Sequence, residues 1–386
     1  MNDLQKKYHL LKKIYSSIKN TIYHDHVKQC NTCKMWGFIE TEITFCFNCN
    51  KFCHYDCLID GACLDCHDNL IINDKTFLTL CKIWVKNPNK IIEKMGIYGK
   101  IENWDTSQVT NMNGAFQNAH DFNDDISNWD VSNTIDMSRM FSSASNFNQS
   151  LNNWNVSNVL NMKYMFEKTS FDQPLNNWNV SKVTNMCGMF SKSKFNQKIN
   201  DWNVSNVRNT SFMFRMSVFD NFLDRWKVHN VKNMSGMFYG SIFNKNINSW
   251  NVSNVKNMSN LFGGTLFNKC LDNWDVSNVR NMCGMFSNSY FDQYINNWNV
   301  SNVVNMNYMF ENSHFNRELN NWNVSNVKKM MNMFRKSFFN KNIENWVTSN
   351  VENMKGIFSD CSGKNTIEIN DWNLKKINHS VFELYI

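Results

Sequence analysis

Proline is nearly missing from this 386-residue chain, with 2 residues, and glycine is sparse, with 13. That scarcity, with a hydrophobic fraction of 42%, excludes a disordered low-complexity tail and argues for folded structure. Long hydrophobic runs are missing as well. The longest apolar patch, residues 77–85, is broken by Lys82 and is far too short to span a bilayer. The first seven residues are polar and charged with no apolar region behind them, so no secretory leader is read and a cytoplasmic, intracellular protein is expected. In a reducing compartment the 13 cysteines should be thiols or metal ligands, not disulfides. No Gly-rich phosphate loop, nucleophile elbow or usefully spaced carboxylate pair is found, which points away from an enzyme. The net charge of +7 permits an acidic partner without demanding nucleic acid.

What the chain has instead is a 24-residue unit, cleanest at residues 175–198. Its Trp anchors stand at 104, 129, 154, 178, 202, 226, 250, 274, 298, 322, 346 and 372, in steps of 24 to 26. A constant period in this range predicts a repeat solenoid, which grows along one axis and is not limited by the size of one core. Each unit opens on [IL]-x-x-W-x-V, whose alternation predicts a short strand, followed by S-N-V-x-N-M. Then M-x-x-M-F, as in Met186, Met189 and Phe190, has the i, i+3, i+4 spacing of one helical turn. One strand and one helical turn per rung is the leucine-rich-repeat plan, with Trp, Met and Phe in place of Leu. At about 4.8 Å per rung, eleven steps make a rod of roughly 50 Å.

Stacking turns each repeat position into a column. The Trp, Val, Met and Phe columns are read as core, and the Asn185, Asn209, Asn233, Asn257, Asn281 and Asn305 column as a rung-to-rung amide ladder. The position six after the Trp runs Thr110, Ile135, Leu160, Thr184, Arg208, Lys232, Lys256, Arg280, Val304, Lys328 and Glu352. Its cations, Arg208, Lys232, Lys256, Arg280 and Lys328, suit either a solvated face or an acidic protein partner. A second basic column, Lys245, Lys269, Arg317 and Lys341, supports the partner reading. Few exposed aromatics are expected beside them, which disfavours single-stranded nucleic acid. Cys187 and Cys283 are placed at surface turns with no histidine beside them, and neither is read as a nucleophile.

Ahead of the repeats lie three segments. Residues 1–28 carry Leu4, Tyr8, Leu11, Tyr15, Ile18 and Ile22 in steps of three and four, an amphipathic helix suited to docking on its own chain or to pairing in a dimer. Residues 29–70 hold Cys30, Cys33, Cys46, Cys49, Cys53, His54, Cys57, Cys63 and Cys66. Pairs with two-residue gaps let both side chains reach one ion, so eight ligands predict two structural zinc ions, with Cys53 an alternative to His54. Residues 71–100 read as two helices, one capped at Asn73 and carrying Phe77, Leu80, Cys81 and Trp84, the next restarting at Asn87-Pro88. They are expected to cap the solenoid of residues 101–386.

Two resemblances follow from these residues. The order of four cysteines, one histidine and three cysteines resembles the cross-brace fingers of the PHD and RING type. It implies Cys30, Cys33, His54 and Cys57 on one zinc, and Cys46, Cys49, Cys63 and Cys66 on the other. A RING-like finger would make the chain a ubiquitin ligase with the repeats as substrate receptor, the alternative to a non-enzymatic scaffold. W-[ND]-V-S-N-V-x-N-M-x-x-M-F is similar to the BspA-like repeats of bacterial and mycoplasmal surface proteins, also numerous in protists and giant DNA viruses. That resemblance implies protein binding, and a viral member would act in the host cell.

Overall fold

The computed structural model describes residues 72–95 and 99–362, together with the backbone of six short strands between residues 27 and 63. The chain divides into two compact units, residues 1–100 and 101–386.

In the first unit the strands form three antiparallel hairpins. β1 (Val27–Gln29) pairs with β2 (Trp36–Phe38), β3 (Ile43–Cys46) with β4 (Lys51–His54), and β5 (Leu58–Ile59) with β6 (Ala62–Cys63). Helix α1, Asp74–Lys86, begins on a reciprocal cap. The Asn73 side chain accepts from the N–H groups of Lys75 at 2.9 Å and Thr76 at 3.3 Å, while Thr76 Oγ1 accepts from the Asn73 N–H at 3.1 Å. This arrangement satisfies donors that a helix start leaves orphaned, which is why the helix begins where Asn-x-x-Thr predicts. Phe77, Leu80, Cys81 and Trp84 are its buried stripe, and α2, Asn89–Met95, follows Pro88.

The second unit opens on a 3-10 turn, Ile101–Asn103, and continues as stacked rungs. Parallel single-residue bridges join Asn111 to Asp136, Asp136 to Asn161, and so on in steps of one repeat to Asn353. Among the described residues the rungs carry single-residue bridges and turns where a strand and a helical turn were expected. In place of the helical turn stands a run of tight turns with two left-handed residues four apart, such as Gly188 (φ 62°) and Lys192 (φ 56°), or Tyr164 (φ 56°) and Lys168 (φ 55°). A helix would keep its N–H groups inside the rung. Here Met186, Gly188, Phe190 and Lys192 donate instead to the carbonyls of Asn209, Ser211, Met213 and Arg215 on the next rung, at 2.7–2.9 Å. The left-handed residues turn alternate peptide groups outward, and thereby replace intrarung bonds by bonds between rungs. At several of these sites the residue is not glycine, at a cost of about 1–2 kcal/mol each that the stack must offset.

The interior is aromatic. In the rungs from Phe116 to Phe339 the two Phe rings stack at 3.8–4.2 Å, as in Phe116 with Phe122 and Phe310 with Phe315. The Trp, Val, Met and Phe columns are almost completely buried, as predicted. Buried indole N–H groups need acceptors. Trp202 Nε1 donates to Leu175 O at 3.0 Å, and the same bond recurs from Trp129 to Trp346 at 2.8–3.1 Å. Each accepting carbonyl also takes the backbone N–H of the Trp on its own rung, as Ile199 O does from Trp202 at 3.1 Å.

The rungs are not related by pure translation, which would give equal separations in every column. Phe166 and Phe190 lie 5.7 Å apart, Trp178 and Trp202 6.3 Å, so the stack fans open on the Trp side.

The predicted amide ladder lies in a different column. Asn185, Asn209 and Asn233 turn inward on their own rungs, accepting from the N–H two residues on at 3.0–3.1 Å. The continuous ladder runs instead through the Asn or Asp after the second Phe. There each side-chain oxygen accepts from the backbone N–H one rung later, from Asn123 to Asn340, at 2.8–3.2 Å. The difference is geometric: at the bridging column the backbone already joins the rungs, so the side chain is free to brace its own turn.

Candidate functional site

The column six after the Trp is built on a continuous backbone ladder. Ile135 donates to Thr110 O, Leu160 to Ile135 O, Thr184 to Leu160 O, and the pattern continues through Arg208, Lys232, Lys256 and Arg280 to Glu352, at 2.7–2.9 Å. The residue before each is a buried Val, from Val109 to Val351, except at Ile135, where it is the buried Thr134, so alternation turns this column out to solvent.

A neighbouring column stiffens it. Four residues after the Trp, the amides of Asn206, Asn230, Asn254 and Asn278 each donate to a backbone carbonyl of the preceding rung at 2.7–2.8 Å. Arg208, Lys232, Lys256 and Arg280 therefore project from a braced surface, all four exposed, on four consecutive rungs. Among the described residues none of the four has a carboxylate within ion-pair distance. The fifth predicted cation differs: Lys328 Nζ sits 3.2 Å from Glu352 Oε1.

The second basic column is partly neutralised. Lys245 pairs with Asp220 at 2.7 Å and Arg317 with Asp292 at 2.9 Å, both carboxylates belonging to the side-chain ladder. It reads as part of the ladder's support more than as an open site.

At its N-terminal end the cationic column changes character. A shallow groove of about 550 Å³ runs there between two columns, with Ile135 and Leu160 on one side and Gln108, Asn133, Asn158 and Lys182 on the other. Ile135 and Leu160 are 46% and 43% exposed, so the groove has an apolar wall open to solvent.

Sequence reasoning missed one surface. At the position before the second Phe, Val218, Ile242, Leu266, Tyr290 and Phe338 are 45–58% exposed, with His314 stacked on Tyr290 at 4.3 Å. The same column is polar earlier, at Asp121, Asn146, Ser170 and Lys194, so the repeat itself does not require the apolar residues. Aligning the column shows the switch.

Cys187 is buried, not at the surface turn predicted, and accepts from Ser211 Oγ at 3.1 Å. Cys283 is half-buried, and burial pushes its thiol up, away from thiolate reactivity. Of the predicted zinc ligands, Cys30, Cys33, Cys49, Cys57 and Cys66 lie outside the described residues. Cys46, Cys53, His54 and Cys63 fall on β3, β4 and β6, described as backbone alone. The helix predicted over residues 4–22 also lies outside. Among the described residues no cluster of His, Cys, Asp or Glu could hold a metal, and no helix is long and apolar enough to cross a membrane.

A family model described as "Mycoplasma protein of unknown function, DUF285" matches residues 89–194, 167–271 and 259–372, well over half of the chain. No curated protein and no solved structure matches it.

Proposed function

Because the chain belongs to the DUF285 family of mycoplasma-type repeat proteins, we propose that it is a non-enzymatic interaction scaffold whose repeats stack as a solenoid and hold an acidic protein partner. One observation carries this reading: four exposed cations on consecutive rungs, braced from behind and without carboxylate partners among the described residues. Like charges about 4.8 Å apart repel, and a partner's carboxylates relieve that repulsion. The segment of eight zinc-type ligands supports a small metal-folded module as the scaffold's second part.

The reading is tested by titrating the full chain against labelled acidic, neutral and basic 20-residue peptides and following anisotropy. Acidic peptides should bind, lose affinity as salt rises, and be released by reversing Arg208, Lys232, Lys256 and Arg280 to Glu together. Equal binding of neutral peptides, or indifference to the fourfold reversal, refutes it. Elemental analysis of the same sample should give about two zinc per chain.

A further inference from the structure

The cationic column and the groove at its head share one axis, and their spacing restricts what can lie along them. Arg208, Lys232, Lys256 and Arg280 are joined rung to rung by N–H···O bonds of 2.9 Å. At about 4.8 Å per rung the outer two stand roughly 14 Å apart. An extended peptide presents a side chain to one face about every 6.8 Å, so three steps cover roughly 20 Å and outrun the column by a full rung. An α-helix with carboxylates at i, i+3, i+7 and i+10 covers about 15 Å and keeps all four on one stripe. The helix is in register where the strand is not.

Beyond Arg208 the column continues through Thr184 to Leu160 and Ile135, which wall the groove. On a helix laid along this line, the positions facing Leu160 and Ile135 come about two and three half-heptads before the first carboxylate. Apolar residues there would bury against the two side chains, each of which is nearly half exposed. We infer that this face takes an amphipathic acidic helix of a partner protein. Its carboxylates at i, i+3, i+7 and i+10 lie over the four cations, and its apolar end enters the Ile135–Leu160 groove. The inference rests on the acidic-protein reading above and adds the partner's secondary structure and its register. Single-stranded nucleic acid would bring phosphates but no apolar end, and the described surface interleaves no exposed aromatic residue in this column for bases to stack on.

The experiment titrates the full chain with three labelled 24-residue peptides, each carrying four Glu and two Leu. The first has the helical register just given. The second has the same composition with the carboxylates spread around the helix, and the third has two central prolines. An oligonucleotide of matching charge is the fourth probe. The first peptide should bind about tenfold or more tighter than the other two and gain helical circular dichroism on binding. Reversing Arg208 and Lys256 to Glu should weaken it by about tenfold and flatten its salt dependence. Ile135→Asn with Leu160→Asn should weaken it several-fold at an unchanged salt slope. All four substituted positions are at the surface, and unchanged thermal unfolding of the variants excludes misfolding as the cause.

If the three peptides bind alike and charge reversal releases all of them, the helix is refuted while the acidic-protein reading stands. If none binds, or the oligonucleotide binds tightest, both are overturned.

Discussion

The rung at Trp346 carries a misplaced pair whose repair should stabilise the protein. In most rungs the Trp is followed by Asn or Asp and then a buried Val; Trp226 has Lys227 before its Val228, and Trp104 has a buried Thr106 whose Oγ1 donates to Asp130 O at 2.9 Å. Here the order is Val347 then Thr348, so Val347 is 58% exposed and Thr348 is buried. Among the described residues Thr348 Oγ1 has no hydrogen-bond partner. An unpaired buried hydroxyl costs about 1–3 kcal/mol, and Val has nearly the same shape, so Thr348→Val should recover about 1–2 kcal/mol without repacking. Val347→Asn should then restore the local brace that Asn323 gives its own rung, where Oδ1 accepts from the Ser325 N–H at 3.1 Å, for about another 0.5–1 kcal/mol. In a linear array this rung reports its own local stability more than that of the whole chain. The assay is therefore amide hydrogen exchange at Val351 and Glu352, which donate to Thr348 O and Lys328 O. A gain of 2 kcal/mol slows exchange about thirtyfold. Unchanged or faster exchange in Thr348→Val would refute the reasoning, because it would mean that the hydroxyl was not buried without a partner.

Three further outcomes are expected. Trp226→Phe removes an indole bond of 2.9 Å to Ile199 O and leaves a void, but that carbonyl keeps the Trp202 N–H. The loss should be about 3 kcal/mol by urea unfolding, and 5 or more would mean the carbonyl is not shared. At Gly236, with φ 57°, a Cβ would meet the Phe212 ring of the preceding rung at 2.6 Å. Gly236→Ala should destabilise by about 1–2 kcal/mol and be partly rescued by Phe212→Ala, while strict additivity in the double-mutant cycle would exclude the contact. Tyr164 is pushed up to about 12, first by burial and then by its hydrogen bond to Cys187. Since the folded state holds this proton longer than the unfolded chain, its contribution is complete below about pH 10 and is lost as pH rises toward 12. The urea midpoint of Tyr164→Phe should vary less over that window than that of the parent, and parallel curves would show that Tyr164 titrates normally.

Much of this was legible in the sequence, and the misses have physical causes. Period and core columns were readable because every rung repeats the same burial, from Trp129 to Trp346. The cap at Asn73 was readable because its partners, Lys75 and Thr76, are two and three residues away. The helical turn was misread because i, i+3, i+4 spacing at Met186, Met189 and Phe190 also fits a turn run with left-handed residues. Glycine would have signalled those, but Tyr164, Phe212 and Tyr308 occupy them with φ of 56–60°. The amide ladder was assigned to the wrong Asn column because composition cannot tell a side chain that braces its own turn from one that reaches the next rung. For the cationic face, residue types and spacing identified the column, but only the structure separates Arg208 to Arg280 from Lys328, which Glu352 occupies. The apolar groove at its head depends on two columns packing side by side, which a column read singly does not show.

The turn runs also give the array an electrical direction. At each interface between rungs four N–H groups, such as those of Met186, Gly188, Phe190 and Lys192, point toward the C-terminal end, and the carbonyls that receive them point back. Peptide dipoles aligned in this way add, with the positive pole at the C-terminal end, the reverse of an α-helix, and the N–H groups of the cationic column and of the side-chain ladder, which donate to the preceding rung, offset only part of them. Since the dipoles lie along the axis of growth, each added rung lengthens the aligned column. An array extended by duplication would therefore gain polarity along with length, favouring anions at one end and cations at the other, without any change in its charged residues.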